Sequence, residues 1–552
     1  MDILALSKLG RFREIVTVLF KYGFDDVAER LQLPGKILIS KTRIAVSEEM
    51  TTWERLRHAL EELGPTFVKF GQILSLRGDL LPVKLIKELE KLQDEVAPVP
   101  FKEIMEVLQK ALKVPLDEIF SFIDEEPLAA ASLAQVHSAV LKEENIPVAL
   151  KIRRPDIVRT VEIDLQILEG AVPYLVEHLE FARTYDFANL MKELKRSLLR
   201  ELNFTLEARN MQIISKSLAD EKNVIIPQVY EEYTRSSVLT MDLIEGVRLK
   251  DLEPENIEER ERLAKLGIRL VVKQVLENGF FHADPHPGNF LIVGGREACL
   301  LDWGVVGILP SEIRYDLVEL IAAIVAMEAE KVFDILISLT GANVAQINDR
   351  LLLRDILEIL HLYHSVTIGK LDLGQLLMDL NNMLRTHHIR LPSDLALMFK
   401  TMVTAEGTAR QLYPELDVIA EIEPFITKLG MERWSISQVW RRFSRQLRLY
   451  LKLQSSLPGA IQRILQKVEQ GELDIKFKHE NLGGLQKSLD NVSNRLSFSI
   501  ILGAVIIGSS MIITTGVKPL IFGYPAIGLI GYLISAVLGL FVAFNIFRSR
   551  KF

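Results

Sequence analysis

The residues with the clearest chemical potential lie between positions 282 and 304, in the segment HADPHPGNFLIVGGREACLLDWG. Asp284 and Asn289 are five positions apart in a D-x-x-x-x-N pattern, and Asp302 begins a D-aromatic-G triplet. In phosphoryl transfer, one carboxylate orients the attacking hydroxyl or water, while a carboxamide and a second carboxylate hold Mg²⁺ against the phosphates of ATP. The spacing therefore predicts Asp284 as the orienting group and Asn289 and Asp302 as metal ligands.

A lysine and a glutamate upstream would complete such a site. Lys151 ends the sequence VALK, where a kinase lysine holds the α and β phosphates and pairs with a helix glutamate. Glu201 and Glu207, in the segment ELNFTLEARN, are both candidates. On one continuous helix they would point about 120° apart, so they cannot both face Lys151 directly. We favour Glu207 for the lysine and place Glu201 at the edge of the cleft.

Two histidines in the same segment suggest an alternative. His282 and His286 are four positions apart, a spacing that could indicate a metal site. It brings both rings together only on a helix, and Pro285 and Pro287 forbid a helix here. We therefore interpret His282 as a structural residue of the loop.

The loop that covers the nucleotide phosphates in a kinase carries G-x-G-x-x-G, whereas this chain has Ala129, Ala130, Ala131 and Ser132. Alanine keeps a small profile but restricts φ, so we expect a stiffer loop with a different grip on the nucleotide. The chain contains no G-x-G-x-x-G sequence, which disfavours a flavin or NAD enzyme.

The elements that must position these residues can be predicted from periodicity. Strands are predicted over 120–129, 133–142, 146–152 and 236–244, followed by a hinge at Glu245 and Gly246. Helices are predicted over 2–32, 51–63, 161–180, 188–217 and 256–278, and helical periodicity continues from 311 to about 430. This order predicts an α+β protein with a small β-rich lobe, a larger helical lobe and a nucleotide cleft between them.

Composition narrows the functional class. The chain has 552 residues and a formal net charge of −7, which argues against a nucleic-acid partner, since such proteins normally carry a basic surface. Cys299 is the single cysteine, so an internal disulfide is impossible. Its apolar neighbours predict a buried strand thiol. The first residues resemble neither a signal peptide nor a transit peptide.

The C-terminal region differs from the rest of the chain. Residues 496–517 and 519–547 carry no charge, and each stretch reaches the roughly 20 apolar residues that span a bilayer. We predict two transmembrane helices rather than a pair of buried core helices. Arg495 precedes them, and Arg548, Arg550 and Lys551 follow. The positive-inside rule then places both ends and the catalytic region in the cytoplasm.

These motifs together resemble the UbiB family of atypical, kinase-like membrane proteins, also called the aarF-domain family. The resemblance covers nearly the whole chain and includes a K-x-G-Q motif at Lys69 and Gln72. The Ala-rich loop, the VALK strand, the 201–210 helix and the 282–289 and 302–304 loops also match. It implies an atypical protein-kinase-like two-lobe fold with an N-terminal helical extension and a C-terminal transmembrane hairpin.

The resemblance also implies a function. Family members bind ATP with Mg²⁺ and act as ATPases, with little protein kinase activity. Their K-x-G-Q segment crosses the mouth of the cleft, which adds Lys69 and Gln72 to the nucleotide site along with Glu201 and the Ala-rich loop. The implied role is biosynthesis of ubiquinone or a related isoprenoid quinone at the bacterial inner membrane. The implied partners are membrane lipid, quinone precursors and quinone-biosynthesis enzymes.

Two positions depart from the family pattern. Asn203 replaces an aspartate, which removes a negative charge near the cleft, and Trp303 replaces the phenylalanine of the D-F-G triplet. We expect the first change to alter metal or nucleotide preference and the second to cause only local repacking.

The predicted domain order follows the motifs. It comprises an N-terminal amphipathic helical region (1–50), a K-x-G-Q helical extension (51–115), a kinase-like N-lobe (116–246), a helical C-lobe (247–430), a helical linker (431–495) and two transmembrane helices (496–547). The leading functional hypothesis is a membrane-anchored atypical kinase or ATPase. The alternative is a nucleotide-sensing pseudokinase scaffold that binds lipids or partner enzymes. A quinone-ring hydroxylase is disfavoured, because neither a dinucleotide fingerprint nor an iron site is evident.

Overall fold

The computed structural model of the chain describes residues 3–24, 50–75, 81–92, 96–178, 187–252, 257–343, 347–364, 372–433 and 482–548. They belong to two compact units, Met1–Arg442 and Phe443–Phe552. The last part of the helix predicted over 2–32, residues 25–32, lies outside the described residues, as does most of the predicted 431–495 linker.

Helices make up most of the first unit. In chain order they are α1 Ile3–Lys21, α2 Thr52–Leu63, α3 Pro65–Ser75, α4 Val83–Leu89, α5 Phe101–Leu112, α6 Leu116–Ile119, α7 Ile157–His178, α8 Phe187–Glu201, α9 Phe204–Ser217, α10 Ile257–Val272, α11 Ser311–Val325, α12 Ala329–Thr340, α13 Asp349–His364, α14 Leu373–Thr386, α15 Ser393–Leu412 and α16 Val418–Arg433. The predicted helical stretch over 188–217 is two helices, α8 and α9, because Asn203 caps a new helix after Leu202.

The strands of this unit contain 2 to 11 residues. They are β1 Phe120–Ala130, β2 Ala134–Leu141, β3 Pro147–Arg153, β4 Val224–Ile225, β5 Val238–Asp242, β6 Val247–Arg248, β7 Phe280–His282, β8 Phe290–Val293, β9 Glu297–Leu300 and β10 Val306–Ile308. The four strands predicted between 120 and 244 are therefore confirmed, with ends that differ by one or two residues.

The first sheet has the order β1-β2-β3-β5, and all of its strand pairs are antiparallel. Its central strand β3 places Lys151 opposite Val136 on one side and Leu239 on the other. One face is covered by α5, whose Ile104 and Leu108 are fully buried against it. The sheet therefore holds the lysine strand rigidly from both edges.

A second sheet, in the order β4-β9-β8-β6, and the β7–β10 pair lie at the start of the helical region. The β8–β9 hairpin aligns Phe290 with Leu300, and the β7–β10 pair aligns His282 with Val306. These pairings bring the two loops predicted to carry chemistry next to each other, since each loop leaves or enters a paired strand.

The hydrophobic cores do not follow the predicted domain boundaries. Helix α5, at 101–112, packs on the first sheet rather than on the N-terminal extension. Helices α7 and α8, from the predicted N-lobe, instead share a core with α1, α2, α3 and α4. Amphipathic helices bury their apolar stripes wherever a matching surface exists, and a boundary drawn along the chain cannot anticipate that choice.

Helix α1 packs against its own unit. Ile15, Val16 and Val18 are buried, and Arg11 donates hydrogen bonds to Leu63 O and to the buried carboxylate of Asp164. The amphipathic helix predicted at the N-terminus is therefore, over residues 3–21, a helix packed on its own domain.

The second unit contains α17 Leu482–Ile513, the short strands β11 Leu520–Ile521 and β12 Tyr524–Pro525, and α18 Ala526–Arg548. Within the described residues, 496–513 is the segment that is both long and apolar enough to cross a membrane. Of α18, residues 526–539 form a shorter apolar stretch. Two membrane crossings therefore remain a prediction.

Candidate active site

Lys151 is the centre of a cluster of charges. Its Nζ lies 2.8 Å from Glu207 Oε1 and 2.9 Å from Glu207 Oε2, and 3.3 Å from Asp302 Oδ1. The ammonium group also lies 5.5 Å from the centre of the Phe204 ring. One lysine thus links a helix of the sheet-containing region to the loop that follows β9.

Glu207 reaches Lys151 because of how α9 begins. Asn203 accepts a hydrogen bond from Thr205 N at 3.2 Å, which satisfies a free amide of the first turn. Phe204 N donates to Ser236 O at 3.1 Å, next to β5. The angular argument that separated Glu201 from Glu207 assumed one continuous helix, and that assumption is wrong, since Glu201 ends α8.

Asp302 occupies a strained position. Its φ is +54°, in the left-handed region that few residues other than glycine, asparagine and aspartate adopt. Its Oδ1 accepts a hydrogen bond from Gly304 N at 3.2 Å. Leu301 N donates to Asn289 O at 2.9 Å, so the β8–β9 hairpin places Asp302 beside Asn289.

The Asp284 loop is held from several directions. Asp284 N donates to His282 Nδ1 at 3.1 Å, and Asn289 Nδ2 donates to Asp284 O at 3.1 Å. His282 N donates to Gln274 Oε1 at 2.9 Å, within the π-helical turn Lys273–Asn278 that follows α10. The amide nitrogen of Asn289 is therefore used within the loop, which leaves its oxygen for a cation.

His282 and His286 have separate local contacts. The buried His282 ring has its Nε2 3.0 Å from Leu301 O, and it stacks edge-on against Trp303 with centroids 4.8 Å apart. The exposed His286 accepts Gly288 N through Nδ1 at 3.1 Å. His282 thus connects the two loops and has no shared ligand geometry with His286.

The K-x-G-Q helix contributes one side chain to the charge cluster. Lys69 Nζ lies 3.1 Å from Glu201 Oε1, and the charge of Lys69 also acts on Asp302. Gln72 points elsewhere, since its Nε2 donates to Leu92 O at 3.1 Å. The structure therefore brings Lys69 and Glu201 to the site, while Gln72 bonds to the backbone just after α4.

The Ala-rich loop is shorter than predicted. Ala129 and Ala130 belong to β1, opposite Val136 and Gln135 of β2. The turn therefore consists of residues 131–133, closed by Ala131 N donating to Ala134 O at 2.8 Å. Small side chains at 129 and 130 fit a strand as well as a loop, so composition alone could not place the boundary.

Ser132 and Arg154 define the character of this turn. Arg154 donates through Nε to Ala131 O at 2.8 Å and through Nη2 to Ala97 O at 2.8 Å. The Ser132 hydroxyl is buried and has no hydrogen-bond partner among the described residues. A buried hydroxyl normally finds a partner, so this one fits a site whose partner is a ligand. No sequence motif marked Arg154 as a residue that supports this turn. Its position just after β3 was the only feature that could have suggested this role.

The charges set clear directions for three pKa values. Lys151, with help from Lys69, holds the pKa of Asp302 well below its usual range despite partial burial. Burial lowers the pKa of Lys151, but Asp302 and Glu207 more than offset this effect and raise it. Burial and the nearby charge of Asp302 raise the pKa of Glu207. Of the two carboxylates that contact Lys151, Asp302 therefore stays ionised more firmly than Glu207.

The two departures from the family pattern have structural roles. Trp303 is completely buried, and its Nε1 donates to Leu300 O at 3.2 Å. Asn210 Nδ2 donates to Trp303 O at 2.9 Å, which ties α9 to the Asp302 loop. Asn203 serves as the cap of α9.

The single cysteine, Cys299, lies buried in β9, and this burial raises the pKa of its thiol to about 12.

The sheet with Lys151, the helix with Glu207 and the paired loops with Asp284 and Asp302 define a kinase-like protein. Sequence comparisons agree with this class. Residues 91–336 match the ABC1 atypical kinase-like domain, residues 356–417 the UbiB helical domain, and residues 480–548 the ABC1/UbiB kinase-like C-terminal domain. A kinase-like domain implies a nucleotide ligand in general terms.

Individual relatives span most of the chain. An uncharacterised protein from Clostridium pasteurianum, named for its place in the hydrogenase 1 5′ region, is 31% identical over 98% of this chain and 99% of its own. A probable protein kinase UbiB from Tolumonas auensis is 30% identical over 85% of this chain and 88% of its own. The chain belongs to the ABC1/UbiB family of atypical kinase-like proteins.

One solved structure is also similar. The Mycobacterium tuberculosis protein Rv3197, determined in complex with erythromycin, has 22% identity and a TM-score of 0.47 over 65% of this chain and 92% of its own. The family assignment rests on the sequence relatives.

Proposed function

We propose that this protein is a membrane-anchored, Mg²⁺-dependent ATPase or small-molecule kinase that supports biosynthesis of ubiquinone or a related isoprenoid quinone. The observation that carries the proposal is the position of Lys151, whose Nζ lies within 3.3 Å of both Glu207 and Asp302. A lysine between a helix glutamate and the aspartate of a D-aromatic-G triplet is the arrangement that protein kinases use for phosphoryl transfer.

The residues present fit Mg-ATP. Asp302 is a firmly ionised carboxylate whose side chain is partly exposed. The side-chain nitrogen of Asn289 donates to Asp284 O, which leaves its amide oxygen available to a cation. Carboxylate and amide oxygens suit Mg²⁺, which usually takes one or two protein carboxylates and completes its shell with phosphates and water. Within the described ranges, no three His, Cys, Asp or Glu side chains form a metal site by themselves, so phosphate oxygens would supply the missing ligands.

Each residue then has a distinct task. Lys151 would bind the α and β phosphates, and Glu207 would orient Lys151. Asp284 would orient the acceptor hydroxyl or water and take its proton. Asn289 and Asp302 would hold Mg²⁺, which neutralises charge that develops on the phosphates. Ser132 would donate its unpaired hydroxyl to the nucleotide from the short turn after β1.

The extension supports a small acceptor. Lys69 on α3 pairs with Glu201 and acts on Asp302, so this helix lies close to the charge cluster. We propose that it narrows the approach to Asp284 and disfavours a protein substrate. Gln72 would support this helix through its bond to Leu92 rather than contact the nucleotide.

The C-terminal unit supports a membrane location. The apolar segment 496–513 is long enough to span a bilayer, and Arg548, Arg550 and Lys551 follow the uncharged residues 519–547. We propose a multi-pass anchor in the bacterial inner membrane, with the catalytic unit in the cytoplasm. Membrane lipid, quinone precursors and quinone-biosynthesis enzymes would be the partners.

Asp302→Asn tests the proposed function. Purified full-length protein in vesicles should release phosphate from Mg-ATP. The variant should lose this activity by at least about 10²-fold, because it removes the negative charge of a proposed Mg²⁺ ligand where charge develops on the phosphoryl group. Asp334→Asn, an exposed carboxylate on α12, is the matched control and should keep full turnover.

Unchanged turnover in Asp302→Asn would refute the assignment. The alternative, a nucleotide-sensing pseudokinase scaffold, predicts tight Mg-ATP binding by the unaltered protein without phosphate release, with or without vesicles. Equilibrium binding measured beside phosphate release therefore separates the two functions.

A further inference from the structure

Lys400, on α15, lies beside the Asp284 loop although no sequence motif marks it. The next residue, Thr401, is completely buried and donates through Oγ1 to Ala283 O at 3.1 Å. Ala283 immediately precedes Asp284. This turn of α15, which includes Lys400, is therefore packed directly against the loop.

The surroundings of Lys400 leave its charge poorly satisfied. Its Nζ lies 3.5 Å from Ser75 Oγ, at the C-terminal end of α3. Across the residues that the structure describes, Lys400 forms no ion pair with a carboxylate at 4.0 Å or less. An ammonium group has three donors, and a single hydroxyl at the outer limit of hydrogen bonding leaves most of that capacity unused.

The electrostatic setting points toward Asp284. Burial lowers the pKa of Lys400, and the negative charges of Asp284 and Glu90 oppose part of that effect. A cation withdrawn from water without a close anion is costly. Such a group fits a place where an anionic ligand binds, and Asp284, whose charge acts on Lys400, is the residue proposed to serve phosphoryl transfer.

We infer that Lys400 is a further catalytic residue, which contacts the transferred phosphoryl group of ATP. This inference rests on the proposed function. In the transfer, the bond between the γ-phosphorus and the bridging oxygen breaks, and ADP keeps that electron pair. The acceptor oxygen forms the new bond to phosphorus, and its proton passes to Asp284. Lys400 would stabilise the negative charge on the oxygens of the group in transit.

A purely structural role is the competing explanation. Ser75 Oγ also donates to Gln72 O at 2.7 Å, so Lys400 could simply tie the K-x-G-Q helix to α15. If Lys400 acts only through the position of the helix, its replacement should weaken the binding of ATP and ADP equally. If Lys400 contacts the γ-phosphoryl group, its replacement should weaken the binding of ATP and leave the binding of ADP unchanged.

The test is Lys400→Met in the full-length protein, with Mg-ADP, a non-hydrolysable Mg-ATP analogue and steady-state phosphate release. We expect turnover to fall about 10²-fold. Affinity for the ATP analogue should fall roughly tenfold, as for a lost charge-assisted hydrogen bond, while affinity for ADP stays unchanged. Lys400→Arg should keep the preference for the ATP analogue over ADP, since it keeps the charge.

Two controls sharpen the result. Ser75→Ala breaks the tie to α3 but keeps the cation, so it should leave the ratio of the two affinities unchanged. Lys331→Met removes an exposed lysine of α12 and should change neither affinity nor turnover. If Lys400→Met does not fold, Lys400→Gln is judged by the same ratio.

Unchanged turnover, or equal weakening of both nucleotides in the neutral Lys400 variants, would overturn the inference and leave the proposed function intact. The proposed function fails in a different way. In that case the unaltered protein itself would bind no Mg-nucleotide, or Asp302→Asn would release phosphate normally.

Discussion

An aspartate at position 203 would both cap α9 and add a negative charge, whereas Asn203 only caps the helix. Its side chain caps α9 by accepting Thr205 N at 3.2 Å and Thr205 Oγ1 at 2.7 Å. Asparagine and aspartate cap helices about equally well, so the cap does not explain why one replaces the other. The difference that remains is a negative charge at the start of the helix that carries Glu207.

Asn203→Asp should therefore change function without changing stability. We expect the free energy of unfolding to stay within about 0.5 kcal/mol of the original, whereas Asn203→Ala should cost about 1 kcal/mol through loss of the cap. Denaturant unfolding of the three proteins measures this. A loss in Asn203→Asp equal to that in Asn203→Ala would contradict the capping role. A separate measurement, the Mg²⁺ dependence of nucleotide binding by Asn203→Asp, tests whether the added negative charge changes function.

At the scale of elements, the glycine of the K-x-G-Q motif is explained by packing. A Cβ at Gly71 would overlap Leu92 Cδ1 and lie 3.1 Å from Leu60 Cδ1 and 3.3 Å from Leu89 Cδ2. All three leucines are buried. The glycine lets α3 approach α2 and the end of α4, and this approach places Lys69 beside Glu201.

Gly71→Ala should destabilise the first unit by about 1–3 kcal/mol, the usual effect of overpacking. Gly170→Ala is the matched control, because Gly170 lies inside α7 with nothing within 4 Å of an added Cβ. It should be neutral or stabilising by up to about 1 kcal/mol. Thermal unfolding of both variants checks the pair, and an equal response would show that the leucine contacts do not constrain Gly71.

At the scale of the whole molecule, the second unit presents apolar side chains outward. Leu496, Ile500 and Ile507 are each at least 63% exposed. Ser509 packs against Gly528 and Gly531, where an added Cβ would meet its backbone or side chain. These small residues let α17 and α18 approach closely. An exposed apolar surface of this extent suits lipid better than water.

Val505→Arg tests the proposed membrane anchor. Val505 lies near the centre of the apolar segment 496–513, where an arginine costs about 2.5–3.5 kcal/mol of insertion. We expect a larger share of the chain to be released from membranes by alkaline extraction. Thr515→Arg, just beyond the segment, is the control and should remain in the membrane. Equal retention of both variants would contradict insertion of this segment.

Several features were predictable because their signals are local. Short runs rich in valine, isoleucine, leucine and phenylalanine marked β1, β2, β3 and β5. Helical periodicity marked most helices, since burial on one face repeats with the period of the helix. The split between α8 and α9 was missed because the capping residue, Asn203, is polar. It leaves the alternation of polar and apolar positions along this stretch unchanged. The ends of the Ala-rich turn were missed because alanine is compatible with strand and loop alike.

The sequence by itself determined the kinase-like class of the protein, because Asp284, Asn289 and Asp302 are spaced along one short segment whose order is meaningful without a fold. Only the tertiary structure decided which charges meet. Lys151 lies 56 positions from Glu207 and 151 from Asp302, and Lys400 reaches the same region from a helix more than a hundred positions away from Asp284. Such contacts depend on how helices bury their apolar faces against sheets and loops, and no spacing along the chain records that choice.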